Sequence, residues 1–338
     1  MRSSAAATLT LVALGVGVLP GRALAQAWVP PRGDGVVTIT YQDTLARGHL
    51  FDDGRLVPGE QDLVHAHAFT SEIEWGLTDK IALNVALPFV AAKYRGNDPH
   101  PVNSRGEPKP IDDGLYHGGA QDFRFGLRYG LKAGALAVAP FAEGIIPSHH
   151  YEGLGHAAIG KDLRAFLMGV SVGGFLDSVA PGLYFQTRLS YGVAQEVAGI
   201  RPNRSSLDSE VGYFVTPRLA VRFLESLQIT HDGLRILREA PPPDFADPQV
   251  VILVLNHDRL LQNTFLNLGG GVGFALTDSL DMFAAVVGTV WGRNVHPHRG
   301  VTVGLNRHFR AGGGAVAPNR NSGRSAGPIR PGPHVRAR

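Results

Sequence analysis

The 338-residue chain contains no cysteine and only three tryptophans and three methionines. Beyond its first 25 residues it has no apolar run approaching the ~18 residues that a membrane-spanning helix needs. Without cysteine there is no disulfide framework, no lipid-modified cysteine and no thiol chemistry, so backbone pairing and burial must hold the chain together. The missing apolar run excludes a helical membrane protein. An excess of one charge is lacking too, since 32 basic residues face 29 acidic ones, a formal net charge of +3. The small surplus is local. Arg310, Arg320, Arg324, Arg330, Arg336 and Arg338 follow Phe309 with no acid among them, whereas Gln26 to Phe309 carries 24 basic against 29 acidic residues. The high isoelectric point belongs to that end, and no nucleic-acid partner follows from it.

What is present begins with "MRSSAAATLTLVALGVGVLPGRALAQA", a short basic start, an apolar core and the small-x-small site Ala23-Leu24-Ala25. This reads as a cleaved secretory signal over residues 1–25. After it, strict alternation recurs. In "KIALNVALPFV", Ile81, Leu83, Val85, Leu87 and Phe89 alternate with Ala82, Asn84, Ala86 and Pro88, which describes a strand with one greasy and one wet face. Five such hairpins turn near Thr78, Ala133, Ser178, Thr216 and Thr277, and one strand before and one after them bring the expected number to twelve.

The connections are unequal. The hairpin turns take a few residues, while long segments fall at 46–62, 93–117, 147–162, 194–203 and 231–261, with a shorter one at 293–298. Short turns at one end, long loops at the other and an even strand number form the pattern of an outer-membrane barrel. The expected fold is therefore all-β: a single 12-stranded antiparallel transmembrane β-barrel over residues 26–309, with short periplasmic turns and long extracellular loops. Residues 310–338, rich in Gly, Pro and Arg, are expected to form a disordered periplasmic tail.

Parity assigns the faces. Glu72, Glu74, Asp122, Arg124, Arg128, Glu143, Arg188, Asp208, Glu210 and Arg222 share one face of their strands. Twelve strands enclose a lumen too wide for a dry core, so this face is expected to line it. Rings of opposite charge would then set up a transverse field, or the charges would pair with one another, as Glu210 and Arg222 can across their hairpin. The greasy face meets lipid, with Trp75, Tyr129 and Tyr213 near the turns and Phe89, Tyr191 and Trp291 near the loops as aromatic girdles. Two features stand apart. Glu225 falls on the lipid face, which requires either a bulge or a place near the rim, and "VVILVL" at 250–255 inside the longest loop fits a strand extension, a short plug helix or an interfacial segment equally well.

The segments "EWGLTDKIALNVALPFV", "GAQDFRFGLRYGLKAGALAVAPFAEGIIPS" and "GVGFALTDSLDMFAAVVGTVWGRNVHPHRGVTVGLNRHF" resemble the outer-membrane barrel family of transporters of the phenol-degradation meta-pathway type. The resemblance covers most of Val36 to Phe309 and rests on a Gly-Leu-Thr-Asp turn, a strand ending in Leu-Pro-Phe, an acid opening the fourth strand and a glycine in the closing strand. It implies a bacterial outer-membrane channel or transporter for passive uptake of small hydrophobic or aromatic compounds. The closing strand, with alternating apolar residues up to Phe309, is of the kind that the bacterial barrel-assembly machinery favours, and an outer-membrane barrel is expected to meet lipid and lipopolysaccharide. The resemblance carries no catalytic residues and no cofactor. The other classes are a structural or adhesive barrel and a barrel-embedded lipid-modifying enzyme. For the enzyme, Ser71 shares its outward parity with His65 and His67, but four residues along a strand is ~13 Å, beyond hydrogen-bond reach.

Histidine placement is uneven, with twelve of fourteen in the expected external loops or at the external end of a strand. The paired His65/His67 and His296/His298 come from the second strand and the sixth loop, which closure brings near each other. These four, with Asp112, Asp113 and Glu152 nearby in the loops, have the ligand types for a divalent-metal site at the pore mouth, and the alternative is that they serve as loop polar groups or lipopolysaccharide contacts.

Overall fold

The computed structural model describes residues 27–57, 63–97, 99–133, 135–238 and 243–311. The expected signal at 1–25 and the expected tail from residue 312 on lie outside the described residues. The strands are β1 (Asp34–Arg47), β2 (Leu63–Gly76), β3 (Ile81–Arg95), β4 (His117–Ala120), β5 (Asp122–Tyr129), β6 (Leu131–Ala133) and β7 (Leu136–Pro147). They continue as β8 (Ala165–Phe175), β9 (Leu183–Ala194), β10 (Arg204–Thr216), β11 (Leu219–Thr230), β12 (Thr264–Thr277), β13 (Leu280–Arg293) and β14 (His298–Arg310). Two short helices, α1 (Pro248–Leu255) and α2 (His257–Leu260), lie between β11 and β12.

β4, β5 and β6 are one barrel strand interrupted at Gln121 and Gly130, because β4 and β5 both pair with β3 while β5 and β6 both pair with β7. This makes a closed 12-strand antiparallel barrel. The ring closes where β1 pairs with β14, from Asp34↔Arg310 to Ala46↔His298. The closing strand runs one residue past Phe309. There the Arg310 guanidinium donates two hydrogen bonds to the Asp34 carboxylate, at 2.6 and 2.9 Å, and clasps the seam at its turn end.

The alternation in the sequence becomes the two faces of the wall. On β2, Val64, Ala66, Ala68, Thr70 and Glu74 are buried, while Phe69, Ile73 and Trp75 are exposed on the outer surface. All six girdle aromatics named above are exposed. One inner position needs glycine: a Cβ on Gly212 would lie 2.2–2.4 Å from atoms of the Tyr184 ring on the neighbouring strand. The Tyr184 side chain passes over that glycine and its hydroxyl donates to Glu210 Oε1, at 2.6 Å.

Glu225 sits in the middle of β11, outward, paired with Ser209 and Leu268. The only register shift between β10 and β11 lies at Phe214/Thr216, so neither a bulge at Glu225 nor a rim position accounts for it. A carboxylate facing hydrocarbon is unfavourable, though less so than Lys or Arg, for which the cost reaches ~2–4 kcal/mol at the midplane. Glu225→Leu is therefore expected to raise the urea midpoint of the folded barrel in lipid vesicles by an amount worth about 1–2 kcal/mol. An unchanged or lowered midpoint would show that the carboxylate has a favourable partner on the outer surface.

"VVILVL" is helical. Pro248 occupies the first turn, and the Asp247 carboxylate accepts from Gln249 N at 2.8 Å, so the local sequence starts a helix before strand pairing can compete.

The largest departure from expectation lies between β7 and β8. Tyr151, Leu154, Ala157, Ala158, Ile159 and Leu163 are buried. Ala157 packs with Ala46, Val64 and Tyr94, and Tyr151 and Ile159 pack with Ala68 and Val90, all inward-facing residues of β1, β2 and β3. This loop folds into the barrel and lines the inner wall.

Candidate functional site

The ten charged residues expected in the lumen all lie on the inward parity of β2, β5, β7, β9, β10 and β11, and most are paired there. Arg128 forms an ion pair with Glu74 across the intervening β3. Arg188 reaches Glu143 across β8 at 3.2 Å, and Arg222 lies 3.8 Å from Glu210. Glu72 accepts from the Asn84 amide at 2.5 Å, and Asp208 accepts from the Ser226 hydroxyl at 2.7 Å. Asp122 accepts from the Tyr151 hydroxyl at 2.5 Å, which ties the inserted loop to the wall. Arg124 shares the inward parity of β5 with Asp122 and Arg128.

Aromatic rings alternate with these charges. The Arg188 guanidinium lies 3.8 Å from the centre of the Phe141 ring, and that of Arg222 lies 5.5 Å from Phe283. Nearer the turn end, Trp28, Phe175, Tyr184 and Phe214 form a chain of rings with successive centroids 5.8, 6.2 and 5.4 Å apart. Trp28 belongs to the segment preceding β1, whose Ala27 N donates to Gln186 on β9. That segment passes inside the turn end of the barrel, an arrangement that no periodicity announces.

The inserted loop is fastened at both ends. Asp162 N donates to the Tyr151 hydroxyl at 3.0 Å, and Gln121, at the break between β4 and β5, donates to the Ile159 carbonyl at 2.6 Å. Arg259 of α2 donates to the carbonyls of Lys161 and Asp162, at 2.8 and 2.6 Å. Burial, reinforced by the Arg204 charge, pushes the Lys161 ammonium down to about 8.

The four histidines expected at one metal site are not together, and the reason is parity. His65 pairs with Leu45, and His65 and His67 project to the outside of the barrel. His298 pairs with Ala46, one residue along β1 and so on the opposite face. Outside, His65 meets Asp43 at 2.9 Å and the Tyr116 hydroxyl at 3.0 Å. His67 meets the Tyr41 and Tyr116 hydroxyls at 2.8 and 2.9 Å. Their ring nitrogens are engaged by these groups, not by Ser71. Inside, the His298 backbone N–H donates to Thr289, and His296 is buried beside His49, with ring centres 4.5 Å apart.

A second histidine cluster assembles where the loops converge. It takes His49 from the β1–β2 loop, His100 and Asp112 from the β3–β4 loop, His156 from the inserted loop, His257 and Asp258 from α2, and His296 from the β13–β14 loop. His156 stacks on Tyr94 of β3 with ring centres 4.0 Å apart. Burial, with the neighbouring rings of His296 and His156, pushes the His49 imidazole well below its ordinary pKa. Burial alone would raise the Asp112 carboxyl, but hydrogen bonds from His100 and His156 outweigh it and hold the group well below the usual range. Of these residues the sequence singled out His296 and, as a nearby acid, Asp112.

No protein-family model matches this sequence, and no curated protein matches it. Among solved structures, an outer-membrane channel from Pseudomonas putida F1 superposes with a TM-score of 0.61 at 12% identity, covering 86% of this chain and 99% of that one. The translocator domain of autotransporter NalP from Neisseria meningitidis is similar at a TM-score of 0.43 and 11% identity, covering 82% and 88%. The NanC porin is similar at 0.42 and 10%, covering 80% and 98%. At such identities the first of these shows the fold, a barrel of the outer-membrane type.

Proposed function

We propose that the protein is a bacterial outer-membrane channel for small molecules, with its short turns in the periplasm and its long loops outside the cell. The observation that carries this reading is the inner wall: paired charges on six strands, interleaved with the faces of Phe141, Tyr184 and Phe283. A wet, ion-paired wall inside a closed barrel has a polar lumen, whereas an outer face of exposed aliphatic and aromatic side chains suits lipid. Aromatic rings backed by guanidinium groups favour planar, weakly polar solutes over sugars, in keeping with the resemblance to transporters of the phenol-degradation type. Lipid, lipopolysaccharide and the barrel-assembly machinery are the partners this reading entails.

A second reading, a structural barrel without transport, is favoured by one observation, the loop between β7 and β8 that occupies the lumen beside β1, β2 and β3. Liposome swelling separates the two. Vesicles containing the folded protein are expected to swell faster in isotonic phenol or benzoate than in glucose, relative to protein-free vesicles. Equal rates with and without protein for all three solutes would support the structural barrel, and faster swelling in glucose would remove the aromatic preference.

A further inference from the structure

The histidine cluster at the loop end has a hydrogen-bond pattern that fixes its tautomers. His100 Nδ1 donates to Asp112 Oδ2 at 2.7 Å, and His257 Nδ1 donates to the Val254 carbonyl at 2.6 Å. An ionised carboxylate and a carbonyl only accept, so both Nδ1 atoms carry hydrogen and both Nε2 atoms of the neutral rings are lone pairs. Those two Nε2 atoms face each other at 3.3 Å. Two facing lone pairs repel unless a proton or a cation lies between them. The Asp258 carboxylate supplies negative charge at the same point, with Oδ1 at 3.1 Å from His257 Nε2 and Oδ2 at 3.7 Å from His100 Nε2.

A second observation points the same way. His296 Nδ1 donates to the Gly48 carbonyl, so its Nε2 accepts, and His49 Nδ1 must be the donor to it at 3.1 Å. His49 Nε2 is then a bare lone pair, fully buried and with no hydrogen-bond partner. A buried imidazole chain that ends in an unsatisfied acceptor is costly, and it adds a further electron-rich nitrogen to the same loop cluster.

We propose that His100, His257 and Asp258 bind one divalent transition-metal ion, with zinc the best-suited. Nitrogen ligands 2.0–2.1 Å from a tetrahedral ion lie about 3.3 Å apart, the spacing of the two Nε2 atoms. Asp112 holds the His100 ring in its ligating tautomer, the role that carboxylates play behind metal-bound histidines. Asp258 Oδ2 meanwhile accepts from Gly155 N of the inserted loop at 2.6 Å. The ion therefore staples the β3–β4 loop to α2, with the inserted loop hydrogen-bonded beneath, and pins the loops over the lumen.

The test uses the folded full-length chain in detergent, stripped with chelator, loaded with zinc or cobalt and passed through a desalting column. One zinc per chain is expected, and the cobalt form should show the strong visible bands of a tetrahedral site. His100→Ala and His257→Ala should each abolish retention, Asp112→Asn should weaken affinity about 10–100-fold, and the His65→Ala, His67→Ala double variant should retain the ion. Folding of each variant is checked by its heat-dependent mobility in SDS. Wild-type protein that retains neither ion overturns the proposal and leaves a proton between the two rings. So does retention by the folded His100→Ala, His257→Ala double variant, or loss of the ion from the His65/His67 variant.

Discussion

Glu74→Ala is expected to lower barrel stability by about 3–5 kcal/mol, read as a drop in the urea midpoint of the folded protein in vesicles. Arg128 and Glu74 are both almost fully buried, and they pair across β3. Truncating the acid takes the Glu74 charge away from a buried guanidinium, and the penalty is the cost of holding that cation inside the barrel with less compensation rather than the worth of the pair. The companion variant Arg128→Met, Glu74→Leu removes both charges and fills similar volume, so it should recover most of the loss. If Glu74→Ala unfolds at the wild-type midpoint, water in the lumen solvates Arg128 fully and the inner wall is wetter than its burial implies. Loss of the same size in the double variant would assign the effect to packing.

The wall of this barrel could be read from period-two alternation because each strand is long and one face is consistently apolar. Ile81, Leu83, Val85, Leu87 and Phe89 announce both a strand and its orientation, and the same parity put Glu74, Arg128 and Arg188 on the inner face. It also contained the correction to the metal site: His65 and His67 share parity with Phe69 and Trp75, which places them outside. What parity cannot supply is the conformation of a loop. "YEGLGHAAIG" has the glycines and histidine of an exposed connection, and its apolar residues follow neither helical nor strand spacing. Its one legible signal is the density of Tyr151, Leu154, Ala157, Ala158 and Ile159 in so short a stretch, more than a solvated loop needs. The His100, His257 and Asp258 juxtaposition lies further from reach, since it joins residues 157 positions apart through the packing of three loops.

Shortening that loop is expected to raise single-channel conductance several-fold. The wall residues Ala46, Val64, Ala68, Val90 and Tyr94 are covered by Tyr151, Ala157 and Ile159, so the loop occupies cross-section that would otherwise hold water and ions. Its ends are already close, because Asp162 N donates to the Tyr151 hydroxyl. Residues 152–161 can therefore be replaced by about four Gly and Ser residues without stretching the chain. The strand ring does not depend on the segment, and the heat-dependent mobility in SDS should persist. Unchanged conductance with intact mobility would mean that the narrowest point lies elsewhere, with the ring of Trp28, Phe175, Tyr184 and Phe214 at the turn end as the next place to look.

The central claim is that this closed barrel conducts, and planar-bilayer recording of the purified, folded wild-type chain tests it most directly. Discrete, reproducible conductance steps are expected on insertion, small for a twelve-stranded barrel because of the inserted loop. Protein that is folded by its SDS mobility and inserted in the bilayer, yet produces no steps and no solute flux in vesicles, would contradict the account and leave a sealed barrel.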